Sequence, residues 1–202
     1  MKIITISREF GSGGRELGKR LAEELGIHCY DHEIIELIAK EHGFDERYVA
    51  NISEKCIEAA YPMTIGHRFA MPPVQIMDQG FQVAAAQQQI IENFAKQGDC
   101  VIVGRCADYV LRGVPNVLRV YIHAPLEDCS RRVSEMNSIP LEAARRLVQI
   151  TDKRRAAYYA YFTGSSWKNA DNYDLCLDSS SFGHEKCVQM IREYLKIKLS
   201  VL

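Results

Sequence analysis

Short runs of β-branched and aliphatic residues alternate along this chain with longer amphipathic stretches. The first run, Ile3-Ile4-Thr5-Ile6, predicts a buried strand, and Gly11-Ser12-Gly13-Gly14 follows it. From about Arg15 to Leu25 the leucines at 17, 21 and 25 recur at helical spacing, and Gly26 is placed to stop that helix. Ile27–Tyr30 predicts a second strand. Asp31 then reads as the cap of a helix carrying Ile34, Ile35 and Ile38. A further helix is expected from Asp45 to about Lys55. Between Cys56 and Gly80 the periodicity dissolves into prolines, glycines, methionines and Phe69, which predicts an irregular binding loop or lid. A Gln- and Ala-rich helix is expected over about Gln79–Gln97, ended by Gly98. Strands at Cys100–Val103 and Leu118–His123 follow, then helices over roughly Leu126–Met136 and Leu141–Tyr159. A last strand, Leu175–Leu177, leads into a closing helix with Val188, Ile191, Leu195 and Leu199.

Apolar strands separated by helices imply a parallel sheet covered on both faces. At 202 residues the chain suits one domain, and it shows no repeat, low-complexity tract or linker. Hydrophobic residues make up 47% and charged residues 25%, with a formal net charge of -1. No global charge therefore argues for nucleic acid or a membrane surface as partner, and basic clusters must be local. The seven cysteines are scattered without zinc-ligand or redox spacing, which predicts reduced thiols. Met1-Lys2 runs directly into the first strand, and no apolar stretch reaches membrane-spanning length, so a cytoplasmic protein is expected.

Glycines between a buried strand and a helix start suggest phosphate binding, through inward-facing backbone N–H groups and the positive helix end. A dinucleotide fingerprint would begin at Gly11-x-Gly13, but its third glycine is replaced by Glu16; Asp31 after the second strand keeps that reading open. A Walker loop, GxxxxGK[ST], fits in position but not in letter. With Gly13 as its second glycine, Arg8 takes the first position, Gly14 the lysine and Arg15 the hydroxyl. With Gly14 instead, Arg15 takes the lysine and Glu16 the residue facing Mg²⁺. A tight turn without any ligand is the remaining alternative.

The run Ile4-Thr5-Ile6-Ser7-Arg8-Glu9-Phe10-Gly11-Ser12-Gly13-Gly14-Arg15-Glu16-Leu17-Gly18 resembles the start of the cytidylate kinase-like family. The likeness continues through Tyr30-Asp31-His32-Glu33, Val103-Gly104-Arg105-Cys106-Ala107-Asp108, Asp152-Lys153-Arg154-Arg155 and Tyr173-Asp174-Leu175-Cys176-Leu177-Asp178. Only about 56–80 carries no matching motif. The resemblance implies a three-layer P-loop NTPase fold of about five parallel strands, with an acceptor-binding insertion (about 31–97) and a helical lid (about 126–172). It implies ATP with Mg²⁺ as donor and a nucleoside monophosphate, CMP or dCMP, as acceptor.

In the second register Gly11, Ser12, Gly13, Gly14, Arg15 and Glu16 would hold the donor phosphates, Glu16 facing the Mg²⁺; carry-over from the family supplies the remaining roles. Asp31, His32, Arg105 and Asp108 would face the acceptor. Arg132, Asp152 and Arg155, with Arg15, would surround the transferring group. The family's Gly-Arg-Asp triplet has Cys106 in place of its aspartate here. Phosphoryl transfer asks chiefly for positioning and cations, so the chemistry agrees with these roles. Of the adjacent pairs Arg131-Arg132, Arg145-Arg146 and Arg154-Arg155, one member each is expected to face a given side, because helical neighbours lie about 100° apart. Arg145 and Arg146 read as a solvated face, and Tyr158, Tyr159, Tyr161, Phe162 and Trp167 as core or lid packing. Two rival functions are a nucleotide sensor without turnover and a kinase of another small acceptor.

Overall fold

The computed structural model of the protein describes residues 2–42 and 74–200. Five strands form one parallel sheet: β1 (Ile3–Arg8), β2 (His28–Tyr30), β3 (Cys100–Val103), β4 (Val117–His123) and β5 (Leu175–Asp178). Their spatial order is β2-β3-β1-β4-β5, so β1 lies at the centre. It pairs with β3 from Ile3–Cys100 to Ile6–Val103 and with β4 from Ile3–Val117 to Arg8–Ile122.

Helices cover both faces, which is why the strands read as continuous apolar runs. Side chains alternate across a strand, so Ile3 enters one core layer while Ile4 and Ile6 enter the other. On the Ile4 face, α1 (Gly14–Leu25) packs Leu17 and Leu21, and α7 (Ser179–Ser200) packs Val188, Ile191 and Leu195. On the Ile3 face lie α2 (Glu33–His42), α3 (Val74–Gln97) and the single turn α4 (Ala107–Val110), through Ile34, Ile38, Ile91 and Ala107. Each such aliphatic side chain contributes about 1.5–3 kcal/mol when fully buried.

A helical hairpin, α5 (Leu126–Asn137) and α6 (Leu141–Thr163), stands over the carboxyl edge of the sheet. Its joint is a small core of Cys129, Val133, Ala144 and Val148. Beneath α6, Tyr158, Tyr159 and Trp167 pack with Cys106, Tyr121 and Tyr173, so these aromatics are core packing first. Tyr161 remains 41% exposed.

Two local expectations are corrected. Helix α3 begins at Val74 and runs through Gly80, so the end of the expected irregular segment is helical. A helical glycine costs only about 1 kcal/mol, and the buried stripe of Val83, Ala86, Ile90, Ile91 and Phe94 outweighs it. Asp31 does not cap α2; the His32 carbonyl accepts from the N–H groups of Ile35 and Glu36. The Asp31 carboxylate is drawn instead to Arg8 and Arg15. The helix expected at Asp45–Lys55 and the segment 56–73 lie outside the described residues.

Candidate active site

A cavity of about 470 Å³ opens where the strands end, the edge at which parallel α/β sheets receive ligands. One side of it is the turn between β1 and α1. Gly11 (φ 82°) and Gly13 (φ 78°) are left-handed, and Gly13 is the N-cap of α1. A side chain at 13 is disfavoured by conformation, and the His184 ring, whose Nε2 would lie 2.0 Å from a Cβ there, would have to move. Ser12 is fully buried and turned into the loop. Its hydroxyl donates to the Glu9 carbonyl (2.8 Å) and accepts from Gly14 N–H (3.4 Å), and its carbonyl accepts from the Ser179 hydroxyl (2.6 Å). The loop is thus held in shape by the Ser12 side chain and by Ser179 of α7.

Six of the described arginines line the cavity: Arg8, Arg15, Arg105, Arg132, Arg154 and Arg155. Arg15, in the first turn of α1, forms a close ion pair with Asp31. Arg105 follows β3 in a left-handed conformation (φ 56°), as does Cys106 (φ 54°). Such positions cost about 1–3 kcal/mol each and persist only where the surroundings hold them. Here buried Gln87 of α3 does so: its amide donates to the Arg105 carbonyl (2.9 Å) and accepts from the Tyr158 hydroxyl (3.0 Å).

The hairpin reaches the opposite side of the loop through three main-chain bonds. Arg132 donates to the Gly11 carbonyl (2.7 Å), Arg155 donates to the Arg8 carbonyl (3.2 Å), and Phe10 N–H donates to Asp152 (2.7 Å). Burial first, and Glu9 after it, push the Asp152 carboxyl up to about 6, against the pull of Phe10 N–H and Arg155.

Most residues singled out in the sequence meet at this cavity: Gly11, Gly13, Gly14, Arg15, Glu16, Asp31, His32, Arg105, Arg132 and Arg155 line it. Ser12, Asp108 and Asp152 do not. Asp108 is placed under the floor, 2% exposed, accepting from Tyr159 (2.6 Å) and Ser7 (3.2 Å), so it ties β1 to α6 instead of facing an acceptor. Burial raises its pKa despite those bonds. Arg154 and Arg155 both line the cavity, contrary to the one-per-pair expectation, because long side chains span the 100° between them. Arg131 points away and pairs with Asp128, and Arg145 pairs with Glu127 on the solvated side.

Two residues had no assigned role in the sequence. Arg8 ends β1 and lines the cavity, and its signal was its place at the carboxyl edge just before the glycines. Glu9 is 9% exposed; it forms a close ion pair with Lys168 and accepts from the Tyr121 hydroxyl and Ala124 N–H, both at 3.3 Å. It anchors the base of the loop to β4. Among the described residues no group of three or more potential metal ligands occurs. Mg²⁺ at such a site usually takes one or two carboxylates and completes its shell with phosphates and water, and the cavity-lining Glu16 fits that demand.

A parallel sheet flanked on both faces, with a glycine loop and converging arginines at its edge, is a P-loop kinase architecture, and the family and its relatives place it in the nucleoside-monophosphate kinase class. The cytidylate kinase-like family model matches residues 3–181, and the chain belongs to that family. Cytidylate kinase of Methanopyrus kandleri is 26% identical over 199 residues, covering 94% of this chain and 91% of that protein. The Methanosarcina acetivorans cytidylate kinase is 25% identical, covering 94% and 93%. An uncharacterised protein from Eubacterium ventriosum superposes with a TM-score of 0.73 at 25% identity, covering 97% of this chain and 99% of that one. Shikimate kinase from Bacteroides thetaiotaomicron shares the fold at a TM-score of 0.54 and 14% identity, covering 96% and 98%. No described helix is long and apolar enough to cross a membrane.

Proposed function

We propose that the protein transfers the γ-phosphoryl group of MgATP to a nucleoside monophosphate, with CMP or dCMP as the first candidates. One observation carries this reading: among the described residues, six guanidinium groups from the strand ends, the first turn of α1 and the hairpin line one cavity beside a glycine loop. Phosphoryl transfer spreads negative charge over the migrating group, and preorganised cations stabilise it. In this reading Gly11–Gly14 and Arg15 hold the donor phosphates, and Glu16 faces the Mg²⁺. Asp31 and Arg105 orient the acceptor from the carboxyl ends of the neighbouring strands β2 and β3, with His32 at the mouth. Arg132 and Arg155 act on the transferring phosphoryl group, while Asp152 holds the loop through Phe10 N–H and balances Arg155. The lid over about 126–172, built on that hairpin, is the closing element.

The acceptor base is suggested by the family and the archaeal relatives. A kinase of another small acceptor is the second reading, favoured by Cys106 in the triplet after β3 and by the unmatched segment near 56–80. A coupled ADP-release assay with MgATP against CMP, dCMP, UMP, AMP, GMP and small alcohols and acids separates the readings. Turnover on a pyrimidine monophosphate supports the proposal, and turnover only on another compound replaces the acceptor. Bound ATP with no turnover on any acceptor points to a sensor. Arg15→Ala and Arg105→Ala should each lose most activity with the fold intact; wild-type turnover in both would remove the site assignment.

A further inference from the structure

The glycine loop departs from the Walker pattern at two positions, and in three dimensions the departures fit each other. With Gly13 as the second glycine, Arg8 stands at the first glycine and Gly14 at the lysine. The Arg8 side chain leaves β1 and crosses the first residue of α1. A Cβ at Gly14 would lie 2.6 Å from Arg8 Cβ and 3.2 Å from its Cγ. The guanidinium then rests against Gly104, where a Cβ would lie 1.8 Å from Arg8 Nη1 and 2.8 Å from its Cζ. A side chain at 14 and an arginine at 8 therefore exclude each other. Glycine at 14 makes room for the stem of one cation, and glycine at 104 lets its guanidinium rest there without being pushed aside.

That cation sits between the glycine loop and Gly104-Arg105, at the junction of the donor and acceptor sides. Its side chain is only 20% exposed and lines the cavity. Among the described residues its ion-pair partner is Asp31 at 3.8 Å, and Asp31 is engaged more closely by Arg15. Burial, and next Arg155, push the Arg8 guanidinium below its ordinary value; Arg105 and Arg15 add to this, and Asp31 opposes it. At neutral pH it remains a cation in a net positive surrounding, an arrangement suited to a ligand carrying several negative charges.

We infer that Arg8 binds the terminal phosphoryl group of a nucleoside triphosphate in place of the Walker lysine, with Gly14 and Gly104 bare so that it can reach. The inference rests on reading the cavity as a polyphosphate site and adds Arg8 to the Gly11–Gly14 and Arg15 contacts proposed for the donor. Arg8 supplies the cation that the first register lacks, and Asp31 pairs with both it and Arg15.

The test is calorimetric binding of ATP and of ADP to the whole protein, without acceptor, so that it does not depend on turnover. Arg8→Ala should weaken ATP about ten- to a hundredfold, the usual loss for a charged hydrogen-bonding partner, and ADP by less than about threefold. Arg8→Lys should lie between wild type and Arg8→Ala, which also controls for folding. Gly14→Lys alone should lose ATP affinity, because its side chain meets Arg8. In Arg8→Gly/Gly14→Lys the nearest remaining neighbour of a Cβ at 14 is Ile122 Cβ at 3.2 Å, and this double variant should bind ATP more tightly than either single one. Wild-type ATP affinity in Arg8→Ala overturns the inference. Equal losses for ATP and ADP also overturn it, since they mark a structural role. Both results leave wild-type kinase turnover standing, whereas a wild-type protein that binds neither nucleotide removes the kinase reading as well.

Discussion

The two walls of the cleft hold their charges by different means. On the sheet wall, Arg8 and Arg105 sit at strand ends, and their positions follow from strand register. Backbone at Gly14 and Gly104 gives Arg8 its space, and Gln87 holds the strained turn that presents Arg105. On the helical wall, Arg132, Asp152 and Arg155 come from a hairpin whose own core is small, and they reach the loop by bonding its main chain. The sheet wall is therefore fixed by a core buried on both faces. The helical wall is fixed by the very loop it serves. Charges on the helical wall are thus coupled to loop geometry, and removing one should disturb both.

The largest effect expected from this comparison is at Arg155. Arg155→Ala deletes a guanidinium from the cavity and the bond to the Arg8 carbonyl together, so kcat on the best acceptor should fall about a hundredfold or more, as for loss of a preorganised transition-state donor. Steady-state kinetics beside a thermal melt would check it. A kcat within about threefold of wild type would mean that the helical wall only covers the site.

Much of this arrangement was legible in the sequence, for identifiable reasons. The strands of the sheet are short apolar runs because they are buried on both faces, and Gly26 ends α1 in the left-handed conformation expected of it. The loop residues Gly11–Glu16 and the arginines at 105, 132 and 155 were recognisable from motif order. Depth was not legible. Asp108 looked like a cavity residue because it follows Arg105 by three positions, yet the turn α4 carries it beneath the floor to Tyr159. The steric relation of Arg8 to Gly104 was hidden because the two are far apart in sequence. Arg154 escaped because angular spacing on a helix describes Cβ directions, whereas a guanidinium lies several ångströms further out.

A middle-sized effect should appear in the pH dependence of Asp152, whose carboxyl is held at about 6. Its unfolded value is near 3.9, so the folded state keeps the proton more tightly. The stability it contributes is present below about pH 4 and lost as pH rises through about 6. Activity should run the other way, because the ionised carboxylate holds Phe10 N–H and balances Arg155 more strongly. Turnover should therefore gain a rising limb near pH 6 where thermal stability declines. Asp152→Asn keeps an acceptor for Phe10 but cannot titrate, and it should flatten both curves. Two unchanged curves in that variant would assign the titration elsewhere and weaken the coupling of the helical wall to the loop.

The smallest effect sharpens the comparison within a single helix. Arg131 and Arg132 are sequence neighbours on α5, but Arg132 bonds the Gly11 carbonyl while Arg131 is 66% exposed and pairs with Asp128 three residues earlier. An exposed ion pair of this kind is worth about 0–1 kcal/mol. Arg131→Ala should leave turnover unchanged and shift unfolding free energy by no more than about 0.5 kcal/mol, while Arg132→Ala loses activity. A loss above about tenfold for Arg131→Ala would show that the hairpin turns on closure and presents a face about 100° away from the one seen here. In that case the helical wall is assembled by motion, and its resting bonds to Gly11 and Arg8 hold the open cleft in place.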